Sequence, residues 1–302
     1  MMSGDGVVVD IMLPFWGPPE LLFEAVRSVL EQSDPGWRLT VIDDAYPSQA
    51  VPAFFADLDD ERVQYLRNDS NIGITENFRR CAELASAEYT TILGSDDRLL
   101  PDYVRSLRDF LSRFPDVDIF APAVVVIDEN GDRHSPLADR VKTVLAPAPT
   151  AGPVRLEGEA LVASLVRGNW LYWPSLAIRT ARLKQIPFRL DLPIILDLAF
   201  ILDVAFDGGT VMYMNGAPSF EYRRHGSSLS QTAISDGVRF RDEARFHREI
   251  SVRARARGWR KAARWAALRP SSRLHSAAAL PGAVRSRDSA ASSAAARNAF
   301  GR

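Results

Sequence analysis

The 302-residue chain has a single cysteine, Cys81, which excludes an intrachain disulfide framework and a zinc site built from several cysteines. It also has no uninterrupted run of the ~18 apolar residues that a membrane-spanning helix requires. Its longest apolar stretch, residues 192–206, is broken by Asp197 and Asp203. No basic residue precedes the first apolar segment, so we expect no signal peptide. With 46% apolar and 25% charged residues, the chain is predicted to be globular and cytoplasmic.

Acidic residues are nearly absent from the end of the chain. Residues 250–302 contain 12 lysines and arginines but one acidic residue, Asp288, for a net charge of +11. The remainder contains 25 basic and 37 acidic residues, for a net charge of −12. A basic helix with aromatic residues could contact an anionic membrane surface peripherally. The alternative is a solvated helix packed on the rest of the protein. No nucleic-acid-binding module is recognisable, so we expect no nucleic-acid partner.

Short apolar segments alternate with segments of helical spacing over the first 121 residues. The predicted strands are residues 7–13, 37–42, 63–66, 89–93 and 117–121. This alternation predicts an α/β fold, with a mixed, mostly parallel sheet and helices on both faces. Beyond residue 121 we expect a strand over residues 170–178, a helix over residues 193–206 and a long final helix over about residues 238–268.

Two pairs of adjacent aspartates follow predicted strands. Asp43 and Asp44 end one strand, and Asp96 and Asp97 follow another after Gly94 and Ser95. Ligands of open α/β sheets bind beyond the carboxyl ends of the strands. Carboxylate oxygens suit a hard cation such as Mg²⁺ or Mn²⁺. The pairs therefore indicate one crevice that binds a nucleotide and its metal. The alternative is ordinary turn chemistry, because aspartate is common after strands.

Other nucleotide-binding classes lack their motifs here. The loop after the first predicted strand, residues 12–19, contains no G-x-G-x-x-G, which a NAD-linked oxidoreductase would have. It also lacks the glycine-rich loop with a basic residue that a nucleotidyltransferase making sugar nucleotides would need.

Six segments together resemble family 2 glycosyltransferases, which have the GT-A fold. The segments are residues 11–16 (IMLPFW), 41–45 (VIDDA), 71–77 (NIGITEN), 93–97 (LGSDD), 196–200 (LDLAF) and 222–230 (YRRHGSSLS). The resemblance covers roughly residues 7–231. It implies inverting, metal-dependent transfer of a sugar from a nucleotide diphosphate sugar to the hydroxyl of a glycan, a lipid-linked glycan or a natural product, for example in polysaccharide biosynthesis.

The resemblance also implies a nucleotide site. Phe15 matches an aromatic residue that stacks on the base, and Asp44 matches a carboxylate that binds the base edge. The full set of nucleotide-binding candidates is Pro14, Phe15, Asp43, Asp44, Asn71, Gly73 and Asp96. Core packing is the alternative for Phe15, and a plain loop and helix cap is the alternative for Asn71 and Gly73.

By the same resemblance, Asp97 ligates Mg²⁺ or Mn²⁺, with His225 as a second candidate ligand. Arg223 and Arg224 match a closing loop that contacts the diphosphate; a solvated basic turn is the alternative. Gly94 stands where the family often has a third aspartate, which leaves fewer protein ligands for the metal.

Asp197 is the candidate general base, because it lies in an otherwise apolar run where a charge needs a purpose. A helix cap or a buried salt bridge is the alternative, and Asp203 is the substitute candidate. Trp170 and Trp173 are candidates for stacking on an acceptor sugar, with core packing as the alternative. A non-catalytic domain that binds a nucleotide sugar or a protein partner is the competing function.

These segments divide the chain into three predicted parts. Residues 1–231 form the transferase domain, with a donor half of about residues 1–121 and an acceptor half of about residues 122–231. Residues 232–268 form a C-terminal helix. Residues 269–302, rich in alanine, serine and arginine, are expected to be a mobile tail.

Overall fold

The computed structural model describes residues 9–148, 152–224, 238–274 and 276–277. Strands and helices alternate in the first part, as the sequence pattern predicts. The elements there are β1 (Val9–Phe15), α1 (Pro19–Leu30), β2 (Trp37–Asp43), α2 (Ala50–Ala56), β3 (Val63–Arg67), α3 (Ile74–Leu84), β4 (Tyr89–Ile92), β5 (Arg98–Leu99), α4 (Tyr103–Arg113) and β6 (Ile119–Ala121).

The second part contains shorter strands. Its elements are β7 (Val124–Ile127), α5 (Leu137–Leu145), β8 (Val154–Glu157), α6 (Gly158–Arg167), β9 (Ala177–Arg179), α7 (Thr180–Gln185), α8 (Leu196–Phe206), β10 (Thr210–Tyr213), β11 (Phe220–Arg223), α9 (Val238–Ala256) and α10 (Arg260–Leu268). The predicted strand over residues 170–178 is wrong for most of its length. A 3₁₀ turn over Trp173–Ser175 interrupts it, where Pro174 has no N–H to donate to a sheet.

The central sheet has eight strands in the order β3-β2-β1-β4-β9-β6-β10-β8. Six of them, β3, β2, β1, β4, β6 and β10, run in one direction, and β9 and β8 run against their neighbours. A second sheet of three strands has the order β5-β11-β7. The mostly parallel sheet is therefore confirmed, and the carboxyl ends of six strands meet at one edge.

Both faces of the central sheet are buried, which explains the nearly continuous apolar strands. On one face, Val9, Ile11 and Leu13 of β1 pack with residues of α1 and α4. On the other face, Met12 belongs to a cluster that includes α6 and α8. α8 is apolar almost all round because it lies inside this second cluster.

The predicted long C-terminal helix is two helices. Gly258, at φ +76°, lies between α9 and α10 in a left-handed conformation that glycine adopts without strain. The chain folds back, and the hydroxyl of Ser251 donates a hydrogen bond to the carbonyl of Ala263 at 3.0 Å. Ile250 and Ala266 are buried in the same cluster as α6 and α8. The two helices are therefore integral to the core.

Residues 270–274 and 276–277, which the sequence assigned to a mobile tail, are helical. Ser272 is 5% exposed, and its hydroxyl donates to the carboxylate of Glu243 at 2.6 Å. The rest of the predicted tail, residues 278–302, lies outside the described residues. In the described part of the chain, no helix combines the length and the apolar character that crossing a membrane requires.

Candidate functional site

The two acidic pairs and the end of β1 lie side by side at the carboxyl edge of the sheet. β1 is paired with β2 on one side and with β4 on the other, and Phe15 is in register with Asp43. The backbone N–H of Asp44 donates to the carbonyl of Phe15 at 3.0 Å. The turn that contains Asp96 and Asp97 follows β4 directly. Both pairs therefore lie at one edge of the sheet, where the sequence predicts a crevice, and that crevice stays a prediction.

Asp43 and Asp44 are 0% and 2% exposed, and their carboxylates hold the loops around the crevice. Asp43 accepts hydrogen bonds from the backbone N–H of Tyr46 at 2.8 Å and from the hydroxyl of Tyr65 at 2.6 Å. An ion pair joins it to Arg67. These contacts hold the loop after β2 in place and engage the Asp43 carboxylate within the protein.

Asp44 anchors the loop that precedes α3. Its carboxylate accepts hydrogen bonds from the side-chain amide of Asn68 at 2.7 Å, from the N–H of Ile72 at 2.8 Å and from the N–H of Gly73 at 2.9 Å. Gly73 precedes the first residue of α3 with φ +84°, which a residue with a Cβ rarely adopts. Asn71 directly precedes Ile72, and its side chain is exposed. The loop is thus fixed at its base, with Asn71 facing outward.

The aromatic residue that is open at the end of β1 is Trp16. The ring of Phe15 is 1% exposed and packs in the core, whereas Trp16 is 51% exposed. Tyr46 contacts both rings edge-on, at centroid distances of 5.3 Å and 5.2 Å. Phe15 therefore fits a supporting role rather than the predicted stacking contact. Pro14, also a candidate, is half-buried within β1.

The second acidic pair forms a tight turn between β4 and β5. The backbone N–H of Asp97 donates to the carbonyl of Gly94 at 3.2 Å. The Asp97 side chain is 1% exposed, and its Oδ1 accepts a hydrogen bond from the backbone N–H of Arg223 at 2.8 Å. Burial, followed by the negative charge of Asp96, raises the pKa of the Asp97 carboxyl well above its ordinary value. A cation at this turn would relieve both effects.

Gly94 leaves room for two carboxylate oxygens to converge. Oδ2 of Asp97 and Oδ1 of Asp96 both lie within 3.1 Å of the point that a Cβ on Gly94 would occupy. A side chain at position 94 would overlap the Asp97 carboxylate. The glycine in place of the family's third aspartate therefore shapes the site as well as removing a ligand.

These carboxylate oxygens are the candidate ligands for a divalent cation. Among the residues that the structure describes, no cluster of three or more histidine, cysteine, aspartate or glutamate side chains could hold a metal. The predicted ligand His225 lies outside the described residues. Asp97, with Asp96 beside it, supplies carboxylate oxygens, which suit Mg²⁺ when substrate phosphates and water complete the shell.

Arg223 supports the acidic turn from β11. Its side chain is 1% exposed, and its guanidinium donates to the carbonyl of Asp96 at 2.8 Å, to the carbonyl of Glu129 at 3.0 Å and to the carboxylate of Glu24 at 2.6 Å. These bonds fit a supporting role rather than the predicted contact with a diphosphate, because the guanidinium faces into the protein. The role was not visible in the sequence, since its partners are 94 to 199 residues away.

Arg224 turns the other way and binds Asp139 of α5. Its Nε and Nη2 donate to the two oxygens of Asp139 at 3.0 Å and 2.8 Å. The hydroxyl of Tyr172 donates to the same carboxylate at 2.9 Å. Asp139, which the motifs did not single out, is 4% exposed and joins α5 to β11. Arg224 remains half-buried beside the turn that holds Asp97.

Asp197 lies in the first turn of α8 and is half-buried. The side-chain amide of Asn169 donates to its Oδ2 at 3.3 Å. The negative charge is favourably placed at the N-terminal end of a helix. The substitute candidate, Asp203, forms an ion pair with Arg253 of α9, which gives it a structural role. The geometry thus favours Asp197 over Asp203 as the base.

The two candidate acceptor tryptophans occupy different places. Trp170 borders a cavity and packs edge-on against Tyr213, with ring centroids 5.0 Å apart. Trp173 is 8% exposed, and its ring lies between Phe78, Phe188 and Phe200 in the core. Trp170 is only 3% exposed and belongs to the same core cluster, so both tryptophans fit the packing alternative.

Comparison with known proteins gives the family. Residues 10–162, about half of the chain, match the model described as "Glycosyl transferase family 2". The chain belongs to this family. The predicted family, and the glycosyltransferase class that it implies, are confirmed.

Curated relatives match over part of their length. The Escherichia coli (strain K12) protein WcaA, named as a colanic acid biosynthesis glycosyl transferase, is 30% identical over 96 residues, which is 32% of this chain and 34% of WcaA. A Methanocaldococcus jannaschii protein, "Uncharacterized glycosyltransferase MJ1057", is 23% identical over 131 residues, 42% of this chain and 45% of its own length. The chain thus spans about a third to a half of these relatives.

Solved structures support the fold class. The S. aureus TarS fragment 1–349 in complex with UDP-GlcNAc superimposes with a TM-score of 0.62 at 15% identity, covering 80% of this chain and 66% of that one. The same fragment in complex with UDP gives a TM-score of 0.60 at 15% identity, covering 80% and 65%. At such identities the likeness shows the fold alone, and the predicted GT-A fold is confirmed.

Proposed function

We propose that this glycosyltransferase takes a sugar from a nucleotide diphosphate donor, inverts the anomeric centre and requires a divalent cation. The observation that carries the proposal is the buried acidic turn after β4. The carboxylates of Asp96 and Asp97 both lie against Gly94 in this turn, and the pKa of Asp97 is raised by burial and by the charge of Asp96. Such a turn at the carboxyl edge of the sheet is where a cation and a diphosphate would bind together.

For the donor, we propose that the base stacks on the open face of Trp16 and that the exposed Asn71 contacts the nucleotide. Asp43 and Asp44 then act by fixing the loops that border the base, through the hydrogen bonds described above. Asp96 accepts a hydrogen bond from the ribose or from a water on the cation. The TarS complexes with UDP and UDP-GlcNAc make uridine nucleotides the first donors to test.

Asp97 would hold Mg²⁺ or Mn²⁺, with His225 as a further candidate ligand. When bound, the cation would stabilise the negative charge that develops on the departing nucleoside diphosphate. The protein contributes the rigidity of the turn. Arg223 ties the carbonyl of Asp96 to the segment after β7 and, through its backbone N–H, fixes Oδ1 of Asp97. Oδ2 of Asp97 is left facing the space above Gly94.

We propose that Asp197 is the general base. The oxygen of the acceptor hydroxyl forms a bond to the anomeric carbon, the bond to the diphosphate oxygen breaks, and the hydroxyl proton moves to the Asp197 carboxylate. A single displacement of this kind inverts the anomeric centre. The hydrogen bond from Asn169 orients the carboxylate, and its place in the first turn of α8 fixes it on a rigid element.

We further propose that the acceptor contacts Tyr213, whose ring Trp170 supports from the core, and that Arg224 lies near the diphosphate. We also propose peripheral contact with an anionic membrane through the exposed basic side chains of α10, among them Arg260, Lys261 and Arg264. Trp259 does not contribute to that surface, because its ring stacks on Phe206 with centroids 5.2 Å apart.

Thermal unfolding with a panel of nucleotide diphosphates and nucleotide sugars, each with and without Mn²⁺, tests the donor half of the proposal. A ligand that binds the folded state raises the midpoint by mass action. We expect one nucleotide to raise it, and the rise to be larger with Mn²⁺. If no nucleotide raises the midpoint, the acidic turn is not a donor site, and the competing reading of a partner-binding domain gains support.

A further inference from the structure

A cavity of about 410 Å³ lies at the same edge of the sheet as the acidic turn, beyond β6 and β10. Ala121 ends β6 and Tyr213 ends β10, and both residues line the cavity. These strands run parallel to each other and in the same direction as β1 and β4. The cavity therefore opens on the side where the donor site is proposed.

Two links place this cavity next to the reacting groups. Asn169, whose amide donates to Asp197, directly precedes Trp170, which lines the cavity. Arg223, whose N–H donates to Asp97, directly precedes Arg224, which binds the cavity residue Asp139. The cavity lining is therefore continuous along the chain with the residues that contact the proposed base and the proposed cation ligand.

The lining combines aromatic rings with polar groups. Trp170, Tyr172 and Tyr213 contribute rings, while α5 and the segment before it contribute Ser135 and Thr143. Aromatic faces that pack on the apolar face of a sugar, next to groups that bind its hydroxyls, form a typical saccharide site. This part of the lining would accept a neutral sugar and a charged sugar equally.

The charges of the lining are not balanced. Arg133 and Lys142 border the cavity, and Asp139 is the one acidic residue that lines it among the described residues. Asp139 is already bound by Arg224 at 3.0 Å and 2.8 Å. Lys142 lies over the ring of Tyr172, 4.1 Å from its centroid, and donates to the carbonyl of Leu171 at 2.7 Å. The excess charge of this wall is therefore positive.

We propose that this cavity is the acceptor subsite and that it selects saccharides carrying a carboxylate or a phosphate. The inference rests on the proposed function, because it presupposes an acceptor for the transferred sugar. The anionic group binds between Arg133 and Lys142, and the sugar ring lies against the partly exposed ring of Tyr213. A neutral saccharide cannot form these charge-assisted hydrogen bonds, which are stronger than hydrogen bonds between neutral groups.

The probes are three matched sugars: methyl glucoside, methyl glucuronide and glucose 6-phosphate. Their binding is measured by saturation-transfer NMR and calorimetry on the full chain, in the presence of the nucleotide diphosphate and Mn²⁺. We expect the charged sugars to bind about tenfold more tightly than methyl glucoside and the difference to shrink as salt is added. Comparison of the glucuronide with the phosphate shows which anion the site takes.

Lys142→Gln should remove most of the preference, and Lys142→Arg should retain it. Lys184→Gln is the matched control, because Lys184 is an exposed lysine on α7 and does not line the cavity. Equal affinity for the neutral and charged sugars, or a preference unchanged by Lys142→Gln, would overturn the inference. Nucleotide binding in the same samples separates the two failures. If the nucleotide binds and the anionic preference is absent, the inference alone has failed; if no nucleotide binds, the proposed function has failed.

Discussion

Replacement of Asp97 by asparagine should stabilise the protein against unfolding and abolish its metal-dependent binding of a nucleotide diphosphate. The Asp97 carboxyl is 1% exposed, and its pKa is raised by burial and by Asp96. Its ionised form is therefore unfavourable in the folded state. Asparagine is nearly isosteric and keeps an oxygen to accept the hydrogen bond from the N–H of Arg223. The substitution removes a charge at the site and leaves the hydrogen bond in place.

The magnitude follows from two opposing contributions. Each unit by which folding raises the pKa destabilises the ionised protein by about 1.4 kcal/mol. Replacing a charged acceptor by a neutral one weakens its hydrogen bond by about 1 kcal/mol. A rise of a single pKa unit already exceeds the weakening of the hydrogen bond, so we expect Asp97→Asn to raise the melting temperature at neutral pH by about 1 °C or more.

The stabilisation by Asp97→Asn should increase as the pH rises from acid to neutral. Below the ordinary carboxyl pKa of about 4, Asp97 is protonated in both the folded and the unfolded state, so the substitution changes little. Above that pH the unfolded chain loses its proton first, and the penalty on the folded wild type grows until the raised pKa is passed. The difference in melting temperature should therefore increase from acid to neutral pH.

The assay is thermal unfolding without metal and with Mn²⁺ plus a nucleotide diphosphate. Without metal, Asp97→Asn should melt above the wild type; with both ligands, the order should reverse. Asp118→Asn is the matched control, because Asp118 is also buried but is bound by Arg182 at 2.9 Å and by the N–H of Thr210 at 2.9 Å. That change should destabilise by roughly 3 kcal/mol. A lower melting temperature for Asp97→Asn at neutral pH without metal would refute the reasoning.

Three further variants separate the parts of the site. Asp197→Asn should leave nucleotide affinity within about twofold and lower turnover by about 10²-fold or more, measured by steady-state kinetics; near-normal turnover would remove Asp197 as the base. Gly94→Ala should displace the Asp97 carboxylate and weaken Mn²⁺-dependent nucleotide binding by about tenfold in calorimetry, whereas Gly17→Ala, with open space around it, should not. Trp16→Ala should weaken nucleotide binding by about 1–3 kcal/mol at an unchanged melting temperature, and unchanged affinity would show that the base lies elsewhere.

The sheet and the position of its acidic turns could be predicted from the sequence, since they depend on local patterns. Apolar runs precede Asp43–Asp44 and Gly94–Asp97, and such a run followed by polar residues indicates the end of a buried strand. Parallel strands then bring these ends to one edge without further information. The family resemblance of the six segments added the order of the motifs and, with it, the enzyme class.

The orientation of individual side chains could not be predicted, because it depends on packing between distant segments. Phe15 and Trp16 are neighbours, and only the packing around β1 decides that Phe15 is buried and Trp16 exposed. Arg223 and Arg224 read as one basic motif, yet the first binds Glu24 and the second binds Asp139. Asp139 gives no signal in the sequence, since its partner Arg224 is 85 residues away.

The break at Gly258 was missed for a different reason. Residues 238–268 have continuous helical composition, and a single glycine inside a helix is tolerated at a cost of about 1 kcal/mol. The chain reverses there because burial of Ile250 and Ala266 against the cluster that includes α6 and α8 outweighs the local preference for one long helix.

The most direct test of the central claim is release of nucleoside diphosphate from nucleotide sugars, measured for the wild type and for Asp197→Asn with and without Mn²⁺. We expect the wild type to release nucleoside diphosphate from one donor when Mn²⁺ is present. In Asp197→Asn the rate of release with acceptor present should fall by about 10²-fold, while the affinity for the donor stays unchanged. Equal rates for wild type and variant, or equal rates with and without Mn²⁺, would contradict the central claim.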